Sequence, residues 1–130
     1  MFGQFQHSNI RLEIKASGQI IREVLTQPAQ LQNQLWFWRS PRIPSPLTIG
    51  TTFTVNFGPV PITYTVETLN EQGLRFLLSQ GVDGFHAWSW DDGWLQSHIE
   101  GISLLPLNLG QTATLLGLRS YIEAQEAQKK

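Results

Sequence analysis

Gly84-Phe-His-Ala-Trp-Ser-Trp-Asp-Asp-Gly-Trp-Leu-Gln-Ser-His-Ile-Glu-Gly-Ile102, followed by Ser103-Leu-Leu-Pro-Leu-Asn108, is the stretch that decides the fold. It holds two aromatic strands, 85–90 and 94–102, around Asp91-Asp92-Gly93. A tight hairpin turn needs a left-handed residue, and glycine takes that conformation without steric cost. After Pro106 the period changes. Leu115, Leu118 and Ile122 fall on one stripe, with Leu116 near its edge, which predicts a helix running towards the C-terminus. Strands that hand over to a long helix predict a helix lying across a curved sheet, with room between them.

Asn108 and Gln111 match a capping box at the start of that helix. Gly110 and Gly117, two helical turns apart, would let the sheet or a ligand approach closely. The polar tail from Glu123 onward is expected to fray.

Upstream, three segments alternate with period 2. Phe53, Val55 and Phe57 share one face, as do Ile62, Tyr64 and Val66, and then Leu74, Phe76 and Leu78. Gly58-Pro-Val-Pro61, Asn70-Glu-Gln-Gly73 and Gly81-Val-Asp-Gly84 read as turns, so the strands form an antiparallel meander. Along 85–90, His86, Trp88 and Trp90 oppose Phe85, Ala87 and Ser89. Along 94–102, Leu95, Ser97 and Ile99 oppose Trp94, Gln96, His98 and Glu100. Both faces are partly apolar, so alternation leaves open which set points inward.

At the N-terminal end, Ile10, Leu12 and Ile14 alternate with Arg11, Glu13 and Lys15, a half-buried strand. Ser17 then stands as an N-cap before Ile20, Ile21, Val24 and Leu25 at helical spacing. Pro28 ends that helix or begins a second short one over 29–38, carrying Leu31, Leu35 and Trp36. Residues 39–49 contain Pro41, Pro44 and Pro46. Proline has no N–H and a fixed φ, so an extended connection is expected there. The order is β-α-α-β5-α over a single domain, residues 1–130. The fold class is α+β, with an antiparallel sheet of about six strands and the C-terminal helix packed across it.

Ile14-Lys-Ala-Ser17, Ile21, Val24, Leu25-Thr-Gln-Pro28, Leu31 and Trp36 at one end, and Gly101, Leu115 and Leu118 at the other, carry a family likeness. The chain resembles the START-like, or Bet v 1-like (SRPBCC), helix-grip superfamily, which includes polyketide cyclase/dehydrase-like proteins and lipid-transport domains. Gln27 stands where that group usually has Asp before the proline. Gly84-Phe-His-Ala-Trp-Ser-Trp-Asp-Asp-Gly-Trp94 and Ser103-Leu-Leu-Pro-Leu-Asn-Leu-Gly110 look most like cyanobacterial members. The resemblance implies an apolar cavity between sheet and helix, and no particular reaction.

Net charge is -1 and charged residues make up 15% of the chain, so no basic footprint for nucleic acid exists. There is no cysteine, which excludes disulfides and thiolate chemistry. No apolar run approaches the ~20 residues that span a membrane. The opening Met-Phe-Gly-Gln-Phe-Gln-His lacks the features of a signal peptide, so the cytoplasm is the expected compartment.

The candidate ligand-binding residues are Phe53, Phe57, Tyr64, Phe76, Trp88 and Trp90 from the sheet, and Leu115 and Leu118 from the helix. Tryptophan and other large aromatics suit a ligand wall. Arg42, beside the proline-rich connection, could hold an anionic head group by a bidentate contact. The candidate catalytic groups are His86, His98 and Glu100. With the turn centred on Asp92-Gly93, paired residues sum to about 185, which sets His86 opposite Ile99 and near His98 and Glu100. A zinc site needs three or four converging ligands with short local pairs. These three could assemble on adjacent strands, but a polar patch or a satisfied core histidine is the expected reading, and no metal or cofactor is expected. Three functions fit. The first is binding of a hydrophobic small molecule such as a lipid, quinone, pigment or polyketide-like ring. The second is a cyclase/dehydrase-like enzyme using a cavity-facing His, Glu or Tyr. The third is a protein-interaction module with a filled core. The direction in which His86, Trp88, Trp90 and His98 point separates them.

Overall fold

Period-2 alternation builds the strands, and the computed structural model describes them within residues 3–27, 38–39, 46–57 and 59–128. The elements are β1 (Gln4–Glu13), α1 (Gly18–Thr26), β2 (Trp38–Arg39), β3 (Thr52–Phe57), β4 (Val60–Leu69), β5 (Gly73–Gln80), β6 (Asp83–Asp91), β7 (Trp94–Ser103) and α2 (Leu107–Gln128). Among the described residues the strands form one curved antiparallel sheet in the order β1-β7-β6-β5-β4-β3-β2. β3 to β7 are the expected meander. β1 pairs with β7, so the first and last strands are neighbours. The result is the α+β helix-grip architecture.

Six long strands match the reading of the sequence. The two-residue β2 is an addition. Trp38 and Arg39 pair with Phe57 and Asn56 on the open edge of β3, where a helix end and an extended connection were expected. An edge strand carries unpaired N–H and C=O groups, and even a short segment can pair with them. The rest of the expected second helix lies outside the described residues.

The open question of face is resolved by burial. His86, Trp88 and Trp90 on β6 and Leu95, Ser97 and Ile99 on β7 point into the core. His86 lies opposite Ile99, as the turn predicts. The outer face looked apolar in sequence because Phe85 and Trp94 are on it. Each is covered by a guanidinium, Arg75 at 3.9 Å from the Phe85 ring centre and Arg11 at 4.0 Å from that of Trp94.

Two glycines let the sheet curl. Gly84 of β6 stands opposite Gly101 of β7. A Cβ on Gly84 would run into the backbone of Glu100 and Gly101, and one on Gly101 would lie 2.8 Å from the Asp83 carbonyl oxygen. The two backbones come this close only because neither residue has a side chain.

α1 begins as expected, with the Ser17 hydroxyl accepting the Ile20 N–H at 3.3 Å. α2 differs from expectation at both ends. It starts at Leu107, and the capping box does not form. Asn108 Nδ2 donates to Ser8 Oγ at 2.7 Å, and the free Leu107 N–H is taken by Gln6 Oε1 at 3.2 Å. The other end of the Gln6 amide donates to the carbonyls of Ser103 and Leu105, at 3.0 and 2.9 Å. At the C-terminal end the polar tail is helical to Gln128 and anchored. Glu123 accepts the Lys15 N–H at 2.8 Å, and Glu126 accepts the Ser17 N–H at 2.9 Å.

Gly84→Ala should therefore destabilise the protein by at least the ~1–3 kcal/mol of an overpacked core site. Urea unfolding read by tryptophan fluorescence would show this as a lowered midpoint. An unchanged midpoint would mean that the sheet does not depend on this contact.

Candidate functional site

Three polar side chains occupy core positions of three different elements. His86 takes the inward phase of β6 between Gly84 and Trp88. Ser97 takes the inward phase of β7 between Leu95 and Ile99. Gln111 lies on the α2 stripe of Leu115, Leu118 and Ile122. His86 is 2% exposed, Ser97 0% and Gln111 4%.

They share one hydrogen-bonded hub. Gln111 Nε2 donates to the Ser97 carbonyl at 2.8 Å, to Ser97 Oγ at 3.0 Å and to the Ser8 carbonyl at 3.3 Å. Two carbonyl acceptors at the same end fix the amide orientation, because the oxygen end would meet only lone pairs there. His86 Nε2 lies 2.6 Å from Ser97 Oγ. The serine oxygen already accepts from Gln111, so its own proton is best used on His86 Nε2. That assigns the ring proton to Nδ1. His86 Nδ1 and Gln111 Oε1 are then left buried without a hydrogen-bond partner.

Burial, and secondarily the charge of His98, push the His86 pKa down to about 3. The imidazole is neutral through the physiological range. Trp88 stacks against it with ring centres 4.5 Å apart. Burial alone pushes the Tyr64 phenol well above its usual range.

His86 and Gln111 both belong to the wall of a cavity of about 40 Å³ between the sheet and the start of α2. The sheet side supplies Phe57, Ile62, Tyr64, Leu78, Val82, His86 and Ile99. The helix side supplies Leu105, Pro106, Leu107, Gly110, Gln111 and Thr114. No charged residue is among them. The volume suffices for a water or two, and is well below the roughly 300 Å³ at which drug-sized ligand pockets begin. Gly110 keeps the seam narrow, since a Cβ there would stand 3.3 Å from the Phe57 ring.

Of the aromatic residues singled out from sequence, Phe57 and Tyr64 line this cavity. Phe53 and Phe76 pack around Tyr64 behind the wall, at ring-centre distances of 5.4 and 5.1 Å. Trp88 backs His86, and Trp90 is core, donating its indole N–H to the Glu71 carbonyl at 3.0 Å. Leu115 and Leu118 are buried further along α2, away from the cavity. Arg42 lies outside the described residues.

His98 and Glu100 are not brought to His86. They share the outer face of β7 and bond to each other at 3.0 Å, with Phe85 stacked over His98. Neighbouring positions of a strand point to opposite sides, so Ile99 can oppose His86 only if His98 and Glu100 turn away. Among the described residues no cluster of three His, Cys, Asp or Glu side chains is placed to hold a metal ion. Ser97 is fully buried and not part of the cavity wall, so it positions His86 and Gln111 rather than meeting a ligand.

Gln111, Ser97, Thr114 and the 105–107 segment were missed in the sequence. The signal for Gln111 was present: it precedes Leu115, Leu118 and Ile122 by four, seven and eleven residues, where the core stripe calls for an apolar side chain.

The protonation of His86 sets a pH dependence. The folded chain protonates it near 3, the unfolded chain near 6.5. Between those values the unfolded state binds more protons, so stability is full above about 6.5 and falls as pH drops, by up to ~1.4 kcal/mol per unit. His86→Gln should flatten the stability–pH curve between pH 6 and 4, measured by urea unfolding at each pH. Parallel curves for the two proteins would mean that the folded protein accepts a proton at His86 without penalty.

The same fold recurs in solved structures over nearly the whole chain. Norcoclaurine synthase from Thalictrum flavum, in complex with dopamine and hydroxybenzaldehyde, matches with a TM-score of 0.69 at 16% identity, covering 98% of this chain and 90% of that one. Major latex-like protein 151 from Panax ginseng matches at 0.72 and 13%, covering 95% and 99%. Protein CV1439 from Chromobacterium violaceum matches at 0.73 and 14%, covering 90% and 97%. These likenesses establish the Bet v 1-like helix-grip fold. The expected closeness to cyanobacterial members gains no support from them. No family model matches the chain, and no curated protein matches it.

Proposed function

We propose that this chain binds a small, mainly apolar molecule at the seam between the sheet and the start of α2. The observation that carries this reading is a cavity at that seam whose described lining residues carry no charge. The fold lends support, since norcoclaurine synthase holds dopamine and hydroxybenzaldehyde in a structure of the same architecture. Burial of apolar surface drives binding at about 25 cal/mol per Å².

At about 40 Å³ the seam takes in only the leading end of a lipid, quinone, pigment or polyketide-like ring. The rest is admitted by a shift of the Leu105–Leu107 segment, which is held by the Gln6 amide rather than by core packing alone. Tyr64 and Phe57 contact the ligand. Residence in the cytoplasm belongs to the same proposal. Among the described residues no helix is long and apolar enough to cross a membrane.

Binding is favoured over a cyclase/dehydrase-like reaction. An acid–base group must titrate near the working pH. In the cavity wall, burial holds His86 neutral and Tyr64 protonated, while His98 and Glu100 face the other way. Binding is also favoured over the interaction-module reading, because Trp88 and Trp90 are buried.

Gly110→Leu tests the site by filling the seam opposite Phe57. The wild-type protein should bind the neutral fluorophore N-phenyl-1-naphthylamine saturably and one to one. The variant, in its folded form, should bind it at least tenfold more weakly. Equal affinity in the folded variant would remove the cavity as the binding site.

A further inference from the structure

Buried polar atoms in folded proteins are almost always paired. His86 Nδ1 and Gln111 Oε1 are two exceptions, both in the wall of one cavity and both tied to the same serine oxygen, at 2.6 and 3.0 Å through their other ends. They are of opposite sense. With the Ser97 proton directed at Nε2, Nδ1–H is a donor. With the two Nε2 protons of Gln111 shared among the oxygens of Ser97 and Ser8, Oε1 is an acceptor.

Resting on the binding reading above, we infer that the cavity recognises a neutral hydroxyl group, alcohol or phenol, at the leading end of an apolar ligand. The hydroxyl oxygen accepts from His86 Nδ1–H, and its proton is donated to Gln111 Oε1. A hydroxyl is the smallest group that carries both capacities on one atom. A ketone or ether satisfies His86 alone and leaves Oε1 orphaned. A carboxylate offers acceptors only and brings a charge into a wall that has no cation among the described residues. An alkylamine brings the opposite charge with no carboxylate to meet it. Ser97 acts as a positioning residue, holding the donor and the acceptor in fixed orientation from β7.

The test is calorimetric titration of the wild-type protein at neutral pH with 4-butylphenol, 4-butylanisole, butylbenzene and 4-butylbenzoate. These share one apolar body and differ in the polar end. The phenol should bind at least tenfold more tightly than the anisole, which only accepts. Butylbenzene should be weaker still, and the benzoate weakest. Butylbenzene binding as tightly as the phenol would overturn the hydroxyl inference while leaving the apolar site standing. Anisole equal to the phenol would remove Gln111 from the recognition, and benzoate binding tightest would make the site an anion site. Failure of all four to bind would overturn the binding reading and the inference with it.

Two further readouts stand apart from ligand affinity. The ¹⁵N shifts of His86 should report the neutral Nδ1–H form, and the Nε2–H form would overturn the donor assignment. Gln111→Met should abolish the preference for phenol over anisole, since methionine keeps the length and apolar body of the side chain without the amide. A preserved preference would exclude Gln111. If that variant does not fold, the wild-type series and the tautomer still decide.

Discussion

Two strands can approach only as closely as their side chains allow, and in this chain that limit is lifted where Gly84 meets Gly101. The bend there is what the remainder of the architecture depends on. β1 stays hydrogen-bonded to β7 along its whole length, and α2 packs on both strands. The bend brings Gly81 next to Ser103, whose hydroxyl donates to the Gly81 carbonyl at 2.7 Å and accepts the Leu105 N–H at 3.0 Å. One side chain thus turns the path from sheet to helix, and that turn supplies the Leu105–Leu107 wall of the cavity.

The buried hub of His86, Ser97 and Gln111 presents a donor and an acceptor in the cavity wall that a water or a ligand hydroxyl can pair. Left unpaired, each would cost about 1–3 kcal/mol. The members of the hub come from different elements. His86 and Ser97 stand on adjacent strands of the sheet, and Trp88 closes one face of the imidazole. Gln111 comes from the helix, so the hub couples the position of the first turns of α2 to the hydrogen bonding of β7. Any widening of the seam must stretch the bonds from Gln111 to Ser97 and Ser8 or carry the amide with it.

Much of this fold was legible in the sequence because period-2 alternation and turn glycines are local signals. The faces of β1, β3, β4 and β5, the Ser17 cap and the pairing of His86 with Ile99 all follow from residues within a few positions of each other. The phase of β6 and β7 was not legible. Phe85 and Trp94 make their outer face look like core, and the Arg75 and Arg11 side chains that shelter them come from other strands. Asn108-x-x-Gln111 had the spacing of a cap, but Ser8 and Ser97 compete for those amides from distant parts of the chain. The tail looked loose because the N–H groups that Glu123 and Glu126 bind lie 108 and 109 positions away. Of the aromatics flagged as ligand wall, Phe57 and Tyr64 line the seam cavity, while Phe53, Phe76, Trp88 and Trp90 are buried in the core. Size and apolarity mark a core residue as readily as a contact residue.

The pairing of β1 with β7 also fixes when the molecule can be finished during synthesis. Gln4 waits for Ser103, and the N–H of Ser17 waits for Glu126. The β3-to-β7 meander pairs between sequence neighbours and can assemble as it leaves the ribosome. β1 emerges first and has its main partner, β7, made late, while α1 packs on β6 and on the later α2. Contacts of such separation slow folding, and they leave half-built sheets with an apolar concave side open to water. Until residue 126 has been added, the bonds that tie Lys15 and Ser17 to α2 cannot all form.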